Sequence, residues 1–160
     1  MSIRIELVGD TAVEAHLDAF SEKLHSRLLA VMQRLTLELW RIVVDENLAG
    51  KVLKRQSGAL ARAQVPRVAE SAEMIVGSVG FNRVTVPYGV YHEFGVPHEW
   101  VIEAKKGKAL RFMLGGEWVF RKKVVHPPLP ERSFLRSALA QIAPQVKAEI
   151  EAAIAEASAE

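Results

Sequence analysis

Apolar residues recur at alternating steps of three and four between residues 11 and 49, which predicts one long amphipathic helix. Its stripe comprises Val13, Leu17, Phe20, Leu24, Leu28, Val31, Leu35, Leu39 and Ile42. Thr11 and Glu14 have the spacing of a capping box, and Gly50 suits a helix stop. A straight helix of this length would measure about 55 Å, against a radius of gyration of about 15 Å for such a domain. Two alternatives follow: two packed helices with a break, or one overhanging helix that packs on another subunit.

After this helix, the sequence predicts shorter elements. Ser57 is placed to cap a short helix over residues 58–64, which Pro66 would end. The β-branched runs at 74–79 and 83–86 predict two strands. Pro87 and Gly95 then bracket a further short helix between them, Tyr88 to Phe94.

Alternating apolar residues on both sides of two glycines predict a β-hairpin. A two-residue turn at 115–116 would split its aromatic side chains between two faces. A three-residue loop at 115–117 pairs Phe112 with Phe120 and keeps one face apolar, so we expect the longer loop.

Basic residues concentrate around this hairpin. Residues 103–123 include seven basic and two acidic side chains, a local charge of +5. The basic ones are Lys105, Lys106, Lys108, Arg111, Arg121, Lys122 and Lys123. The expected register sets Arg111 opposite Arg121, which is unfavourable for like charges. Either this is a solvated sheet face, or it is a docking surface for an acidic partner or a phosphate backbone.

The proline-rich stretch 126–130 predicts a stiff connector before a last helix. The apolar stripe of that helix is Leu135, Ala138, Leu139, Ile142, Val146, Ile150 and Ile154. Pro144 predicts a kink or a restart within it. Residues 144–160 carry a local charge of −3, and their alanine-rich end is expected to fray.

The composition excludes some classes of protein but does not indicate a function. The chain has 160 residues and a net charge of +2, with 49% hydrophobic and 25% charged residues, which is typical of one globular domain. The absence of cysteine excludes disulfides and Cys-based zinc sites. Neither a signal peptide nor an apolar run of about 20 residues is present, so we expect a soluble, cytoplasmic domain.

Candidate catalytic motifs are weak. His92-Glu93 resembles the start of a helical metal site, but Val96 stands where the second histidine is needed. The five histidines indicate no triad, and no metal or cofactor is expected. Trp40, Trp100 and Trp118 are interpretable as stacking platforms for bases, although core positions are more typical of single aromatic residues. We expect a protein that is not an enzyme.

Four short motifs follow one another between residues 53 and 140. They are Gln56-Ser57-Gly58-Ala59-Leu60, then Tyr88-Gly89-Val90-Tyr91-His92-Glu93-Phe94-Gly95, then Lys108-Ala109-Leu110-Arg111-Phe112, and last His126-Pro127 with Ser133-Phe134-Leu135. This ordered set resembles the gp-ten-like tail-component family of long-tailed bacteriophages. Val96 and Pro128 depart from the family's usual residues, and residues 1–50 match only as a helical pattern.

The resemblance implies an α+β domain with a long N-terminal helix, a small, mostly antiparallel sheet and a C-terminal helix packed on the sheet. It implies a non-enzymatic virion assembly protein of a phage or prophage, which completes the tail or joins it to the head. Its implied partners are the tail terminator, the head-completion protein and the end of the tape measure, with a homo-oligomeric ring in the virion. It would be made in the bacterial host cytoplasm.

Each motif also has a structural interpretation. Gly58 and Gly95 suit helix boundaries, Glu93 is expected to bond neighbouring backbone or a basic residue, and Pro127 helps to direct the last helix. The aromatic residues at spacings of three should anchor one helix face to the sheet. They are Tyr88, Tyr91 and Phe94.

Three hypotheses remain open. In the assembly hypothesis, the basic segment 103–123 of one subunit meets the acidic C-terminal segment of the next. The alternative is a nucleic-acid-binding module that uses the basic hairpin and contacts DNA directly. The third is a small hydrolase that uses His92 and Glu93.

Overall fold

Two long helices lie side by side in the computed structural model, which describes residues 10–71, 74–105 and 107–158. The helices are α1 (Asp10–Arg41), which continues as a π-helical segment (Ile42–Lys51), α2 (Ala59–Arg62), α3 (Tyr88–Phe94) and α4 (Phe134–Ser158). The strands are β1 (Gln64–Glu70), β2 (Ile75–Phe81), β3 (Trp100–Glu103), β4 (Leu110–Leu114), β5 (Glu117–Arg121) and β6 (Lys123–His126). The α+β class predicted from the sequence is confirmed. None of the helices among these residues is both long and apolar enough to cross a membrane.

The long N-terminal helix has no break before Arg41, so the alternative of two separated helices is wrong. Beyond it, the π-helical segment widens the helix, and its buried residues recur at steps of five: Ile42, Val43, Asn47 and Leu48. Bonds from i to i+5 bring residues at that spacing onto one face. Gly50, with φ of 143°, leaves the helical conformation and ends the regular winding as expected.

From Phe20 onward, the stripe of α1 packs against the rest of the same chain. Leu35 and Ile42 are buried, and the other stripe residues from Phe20 onward are half-buried. The capping box at Thr11 and Glu14, and the side chains of Val13 and Leu17, lie outside the residues whose side chains are described. The core consists of Leu35, Ile42, Val43, Leu48, Leu53, Ala61, Phe134, Ala138 and Ile142.

Helix α4 runs antiparallel to α1. Arg27 in the middle of α1 meets Glu156 near the end of α4, and Arg34, about two turns further along α1, meets Glu149. At the opposite end, buried Asn47 donates to the carbonyl of Phe134 over 2.7 Å. The helix meets the β1–β2 hairpin chiefly at its first residue, where the rings of Phe81 and Phe134 are 6.1 Å apart.

Helix α4 continues through Pro144, so the restart that was one of the two expected outcomes does not occur there. Its regular winding extends to Ser158. Ala153 and Ala157 are buried, because their small side chains allow a close approach in the last turns. Packing therefore orders a segment whose composition alone indicated fraying.

The strands form three separate two-stranded antiparallel ladders, β1–β2, β3–β6 and β4–β5. The sequence pattern does not predict strand β1, because it predicts a helix over 58–64 that ends before Pro66. That helix stops at Arg62, and Pro66 pairs with Val79 inside the strand. An edge strand tolerates proline since its outward side needs no N–H donor.

The predicted strand at 83–86 is wrong: these residues form a turn. Asn82 holds it, because its side-chain oxygen accepts from Val84 N–H over 2.8 Å and its carbonyl accepts from Val86 N–H over 3.0 Å. A local asparagine turn therefore prevails over the β propensity of the valines.

The predicted three-residue hairpin loop is also wrong. The register pairs Phe112 with Val119 and Leu114 with Glu117, which leaves a two-residue Gly115-Gly116 turn. Both glycines have positive φ, 61° and 89°, as a type I′ turn requires.

The observed register also separates the two arginines of the hairpin. Arg111 lies opposite Phe120, and Arg121 lies opposite Leu110, so the two arginines do not face each other. The expected like-charge repulsion across the hairpin is therefore absent at these positions.

Candidate functional site

Helix α3 forms where the sequence places it, between Pro87 and Gly95. Its aromatic side chains point outward, contrary to the expected anchoring: Tyr88, Tyr91 and Phe94 are all exposed. The buried residues are instead Gly89 and Glu93. A Cβ on Gly89 would lie 2.5 Å from the Phe81 ring, so glycine there allows α3 to sit against β2.

Glu93 caps a helix other than its own. Glu93 is 3% exposed, and its carboxylate accepts the backbone N–H of Leu135 over 2.8 Å and of Arg136 over 3.0 Å. These are the second and third residues of α4, whose N–H groups have no partner within the helix. Ser133 stands at the N-cap position, but its hydroxyl bonds Glu131. The expectation that Glu93 bonds backbone or a basic residue is confirmed.

Backbone groups reinforce this junction between α3 and α4. The carbonyls of His92 and Glu93 accept from Arg132 and Ser133 N–H over 2.9 and 3.2 Å. Gly95 has φ of 71°, and a Cβ there would lie 2.7 Å from the backbone nitrogen of Glu131. Two of the motifs, around Glu93 and around Phe134, therefore meet in space as one clamp.

The connector before α4 is held to the chain just after α3. Val96 and Leu129 form an isolated antiparallel bridge with bonds of 2.8 and 2.9 Å. Pro127, two residues earlier, is exposed, and its carbonyl lies 2.8 Å from Nδ1 of His126. Phe134 is fully buried, and Leu135 is half-buried.

The motif at Ser57 lies beside a small cavity of about 90 Å³, whose lining includes Gly58, Leu60, Tyr88 and His92. Ser57 accepts the N–H of Ala59 through its hydroxyl over 3.3 Å, so it bonds the first turn of α2 from one residue outside the N-cap, which is Gly58.

His92 forms part of that cavity wall. Burial, together with the nearby Arg132 guanidinium, lowers the pKa of His92. Its Nδ1 is buried and has no hydrogen-bond partner among the described residues. The Glu93 carboxylate beside it in sequence is taken up by α4, which weakens the hydrolase hypothesis.

An apolar surface missed by the sequence analysis lies on the β4–β5 hairpin. Met113 and Trp118 are opposite one another and are 58% and 53% exposed, and Phe120 on the same face is 58% exposed. Arg111 completes the face, with its guanidinium carbon 4.0 Å from the centroid of the Trp118 ring. We call these four residues the hairpin face. The core interpretation of Trp118 is wrong, because the turn geometry sets the register and directs the ring outward.

The other basic residues of 103–123 lie around the hairpin face rather than on it. Lys105 and Lys108 are exposed in the segment before β4, and Lys106 lies outside the described residues. Lys122 is exposed between β5 and β6, and its carbonyl accepts from Ala104 N–H.

The remaining two cations of the segment, Arg121 and Lys123, have contacts within the chain. Lys123 lies 3.6 Å from Glu103 in an exposed ion pair. Arg121 donates to the carbonyl of Phe120 over 3.1 Å. The predicted basic residues are therefore spread over two ladders and the segments between them.

The acidic C-terminal segment is largely paired within the chain. Glu149 accepts from Arg34 over 2.8 Å and from Gln145 over 3.0 Å, and hydrogen bonds from Gln145 and Arg34 lower the pKa of Glu149. Glu156 lies 3.3 Å from Arg27. Because of these contacts, fewer carboxylates of the segment are available to a basic surface of another subunit.

No group of three or more His, Asp or Glu side chains that could hold a metal ion occurs within residues 10–71, 74–105 and 107–158. Comparison of the chain with protein-family models, with curated proteins and with solved structures found no match.

Proposed function

We propose that the chain is a non-enzymatic virion assembly protein of a phage or prophage, which completes the tail or joins it to the head through protein–protein contacts. The hairpin face carries this proposal. Three large apolar side chains share one side of a two-stranded ladder, and each is more than half exposed. Exposed apolar patches of this kind, when rimmed by polar residues, are typical of binding surfaces for other proteins.

The clamp between α3 and α4 supports the same proposal. Glu93 and the connector hold two elements rigidly, and the outward aromatic side chains of α3 add a second exposed surface. A rigid unit with two such surfaces is suited to a fixed position among neighbours in a particle. The kind of particle is proposed from the resemblance to the tail-component family.

Deletion of the gene from the phage that encodes the chain tests the proposal. We expect loss of infectious titre, with heads and tails that remain separate in electron micrographs, and rescue by the chain supplied from a plasmid. Normal titre after deletion would refute the proposal.

A matched pair of plasmid variants extends this experiment to the hairpin face. Met113→Ser combined with Phe120→Ser should fail to rescue, whereas Val84→Ser should rescue, because Val84 is 90% exposed but lies in a separate turn. Circular dichroism of the purified variants establishes that each is folded. Equal rescue by both variants would show that assembly does not require the hairpin face.

The cations around the face give a second candidate function, a nucleic-acid-binding module. Lys105, Lys108 and Lys122 have no ion-pair partner among the described residues. Direct DNA binding would weaken steeply with salt, whereas the assembly function predicts little DNA affinity at any salt concentration. Reversal of Lys122 and Lys123 to Glu should impair particle assembly and leave the isolated chain folded.

A further inference from the structure

We propose that Arg111 and Trp118 together form a receptor for a carboxylate on an acidic, partly apolar segment of a second, different protein. This inference rests on the proposed function, because the second protein would be a component of the same particle. It goes further by identifying the chemistry of the partner and the residues that recognise it.

The geometry of the pair carries the inference. Arg111 on β4 and Trp118 on β5 lie on one face as diagonal neighbours, because Arg111 is opposite Phe120, two residues after Trp118. The guanidinium carbon of Arg111 is 4.0 Å from the centroid of the Trp118 ring. Stacking holds the planar guanidinium in place and leaves its N–H edge free to donate. That fork matches a carboxylate in a bidentate arrangement. No carboxylate within the described ranges forms an ion pair with Arg111.

The surroundings of the pair match the centre of a protein interface. Met113 and Phe120 flank it on the same exposed face, and methionine, aromatic residues and arginine are enriched at interface centres. Two-stranded ladders are marginally stable alone in water, so a partner that covers this face would also stabilise it. The cations nearby favour an acidic partner and accelerate its encounter.

A second copy of the chain is a poor partner for this face. Its carboxylates on α4 are engaged, Glu149 with Arg34 and Glu156 with Arg27, and exposed Glu46 in the π-helical segment accepts from Lys51 over 2.7 Å. Docking of α4 onto the hairpin face would have to break contacts within each subunit. A different protein with unpaired carboxylates has no such cost.

A nucleic acid also fits less well. One side of the Trp118 ring is already covered by Arg111, so a base would have to displace the guanidinium or use the other side. Met113, which lies directly opposite Trp118 on this face, has no ring on which a second base could stack. The observations therefore favour a protein segment.

Fluorescence anisotropy with the purified full-length chain tests the inference. The probes are a labelled peptide in which Glu alternates with Leu, its Gln-for-Glu and Lys-for-Glu counterparts, and a single-stranded oligothymidylate. We expect the Glu peptide to bind at least about tenfold more tightly than the Gln peptide, since only a carboxylate completes the charged fork. The Lys peptide and the oligothymidylate should bind more weakly still.

Variants of the chain distinguish recognition by the planar guanidinium of Arg111 from attraction by positive charge alone. Arg111→Lys keeps the charge but loses the planar fork, so we expect about tenfold weaker binding of the Glu peptide. Trp118→Leu should weaken it similarly by freeing the arginine. The matched control is Arg83→Lys, at an exposed arginine in the turn after β2, which should bind like the unaltered chain.

Several outcomes would overturn the inference. They are no binding of the Glu peptide, unchanged binding by Arg111→Lys, tighter binding of the oligothymidylate, or a concentration-dependent dimer that Arg111→Lys abolishes. The gene deletion described above separates this inference from the proposed function. If particles need the gene but Arg111→Lys binds the peptide normally, only the carboxylate-receptor inference is refuted. If deletion leaves the titre normal, the proposed function is refuted, whatever the result of the peptide-binding experiment.

Discussion

Replacement of Glu93 by Gln should destabilise the fold by removing the cap of α4. The carboxylate accepts two backbone N–H groups, at 2.8 and 3.0 Å, in a site where the side chain is 4% exposed. An amide offers one oxygen, so it satisfies one N–H and presents its own N–H₂ to the other. The negative charge at the positive end of the helix dipole is lost as well.

The magnitude follows from these contacts. A hydrogen bond to a charged group contributes about 1.5–3 kcal/mol, and a buried donor left without a partner adds its desolvation penalty. We therefore expect the free energy of unfolding to fall by about 2–4 kcal/mol for Glu93→Gln. At about 2–4 °C per kcal/mol for a domain of this size, the melting temperature should fall by roughly 5–15 °C.

The assay is thermal and urea unfolding of the variant beside a matched control, Glu131→Gln. Glu131 bonds the same Arg136, but its side chain is 50% exposed, and exposed pairs contribute about 0–1 kcal/mol. Equal losses of stability in the two variants would refute the capping role of Glu93, because general charge near Arg136 would then explain both. Amide exchange should become faster at the start of α4 in Glu93→Gln alone.

Three further predictions concern other sites. Gly77→Ala should lower stability by about 1–3 kcal/mol in urea unfolding, since its Cβ would lie 2.2 Å from Oγ1 of buried Thr36, whereas Gly80→Ala in the same strand meets nothing within 4 Å and should change it little. Because burial lowers the pKa of His92 in the folded state, the unfolded chain binds the proton more readily, and stability should fall as pH drops below about 6.5; His92→Gln should flatten that part of the curve of urea midpoint against pH. Gly116→Val places a β-branched residue at φ of 89°, so amide exchange in β4 and β5 should rise; unchanged protection would contradict the assigned turn.

Local signals in the sequence were sufficient for some elements. Helix α3 begins after Pro87 and ends before Gly95 as predicted, because proline sets φ at a helix start and Gly95 adopts a positive φ at its end. The long stripe of α1 was equally clear, since many residues repeat one period. The glycine pair, by contrast, is compatible with the two-residue turn that forms, and the alternation of apolar residues favours the longer loop only where one face of the hairpin is buried.

The sequence by itself determined where periodic helices form and where glycine and proline end them, since those effects act within a few residues. Only the tertiary structure decided that Glu93 caps a helix some 42 residues later, that the aromatic residues of α3 face outward, and that Trp118 stacks on Arg111 in the open. These outcomes depend on which surfaces meet across long separations. A pattern along the chain records which side chains are apolar, but burial depends on the neighbours that the fold supplies.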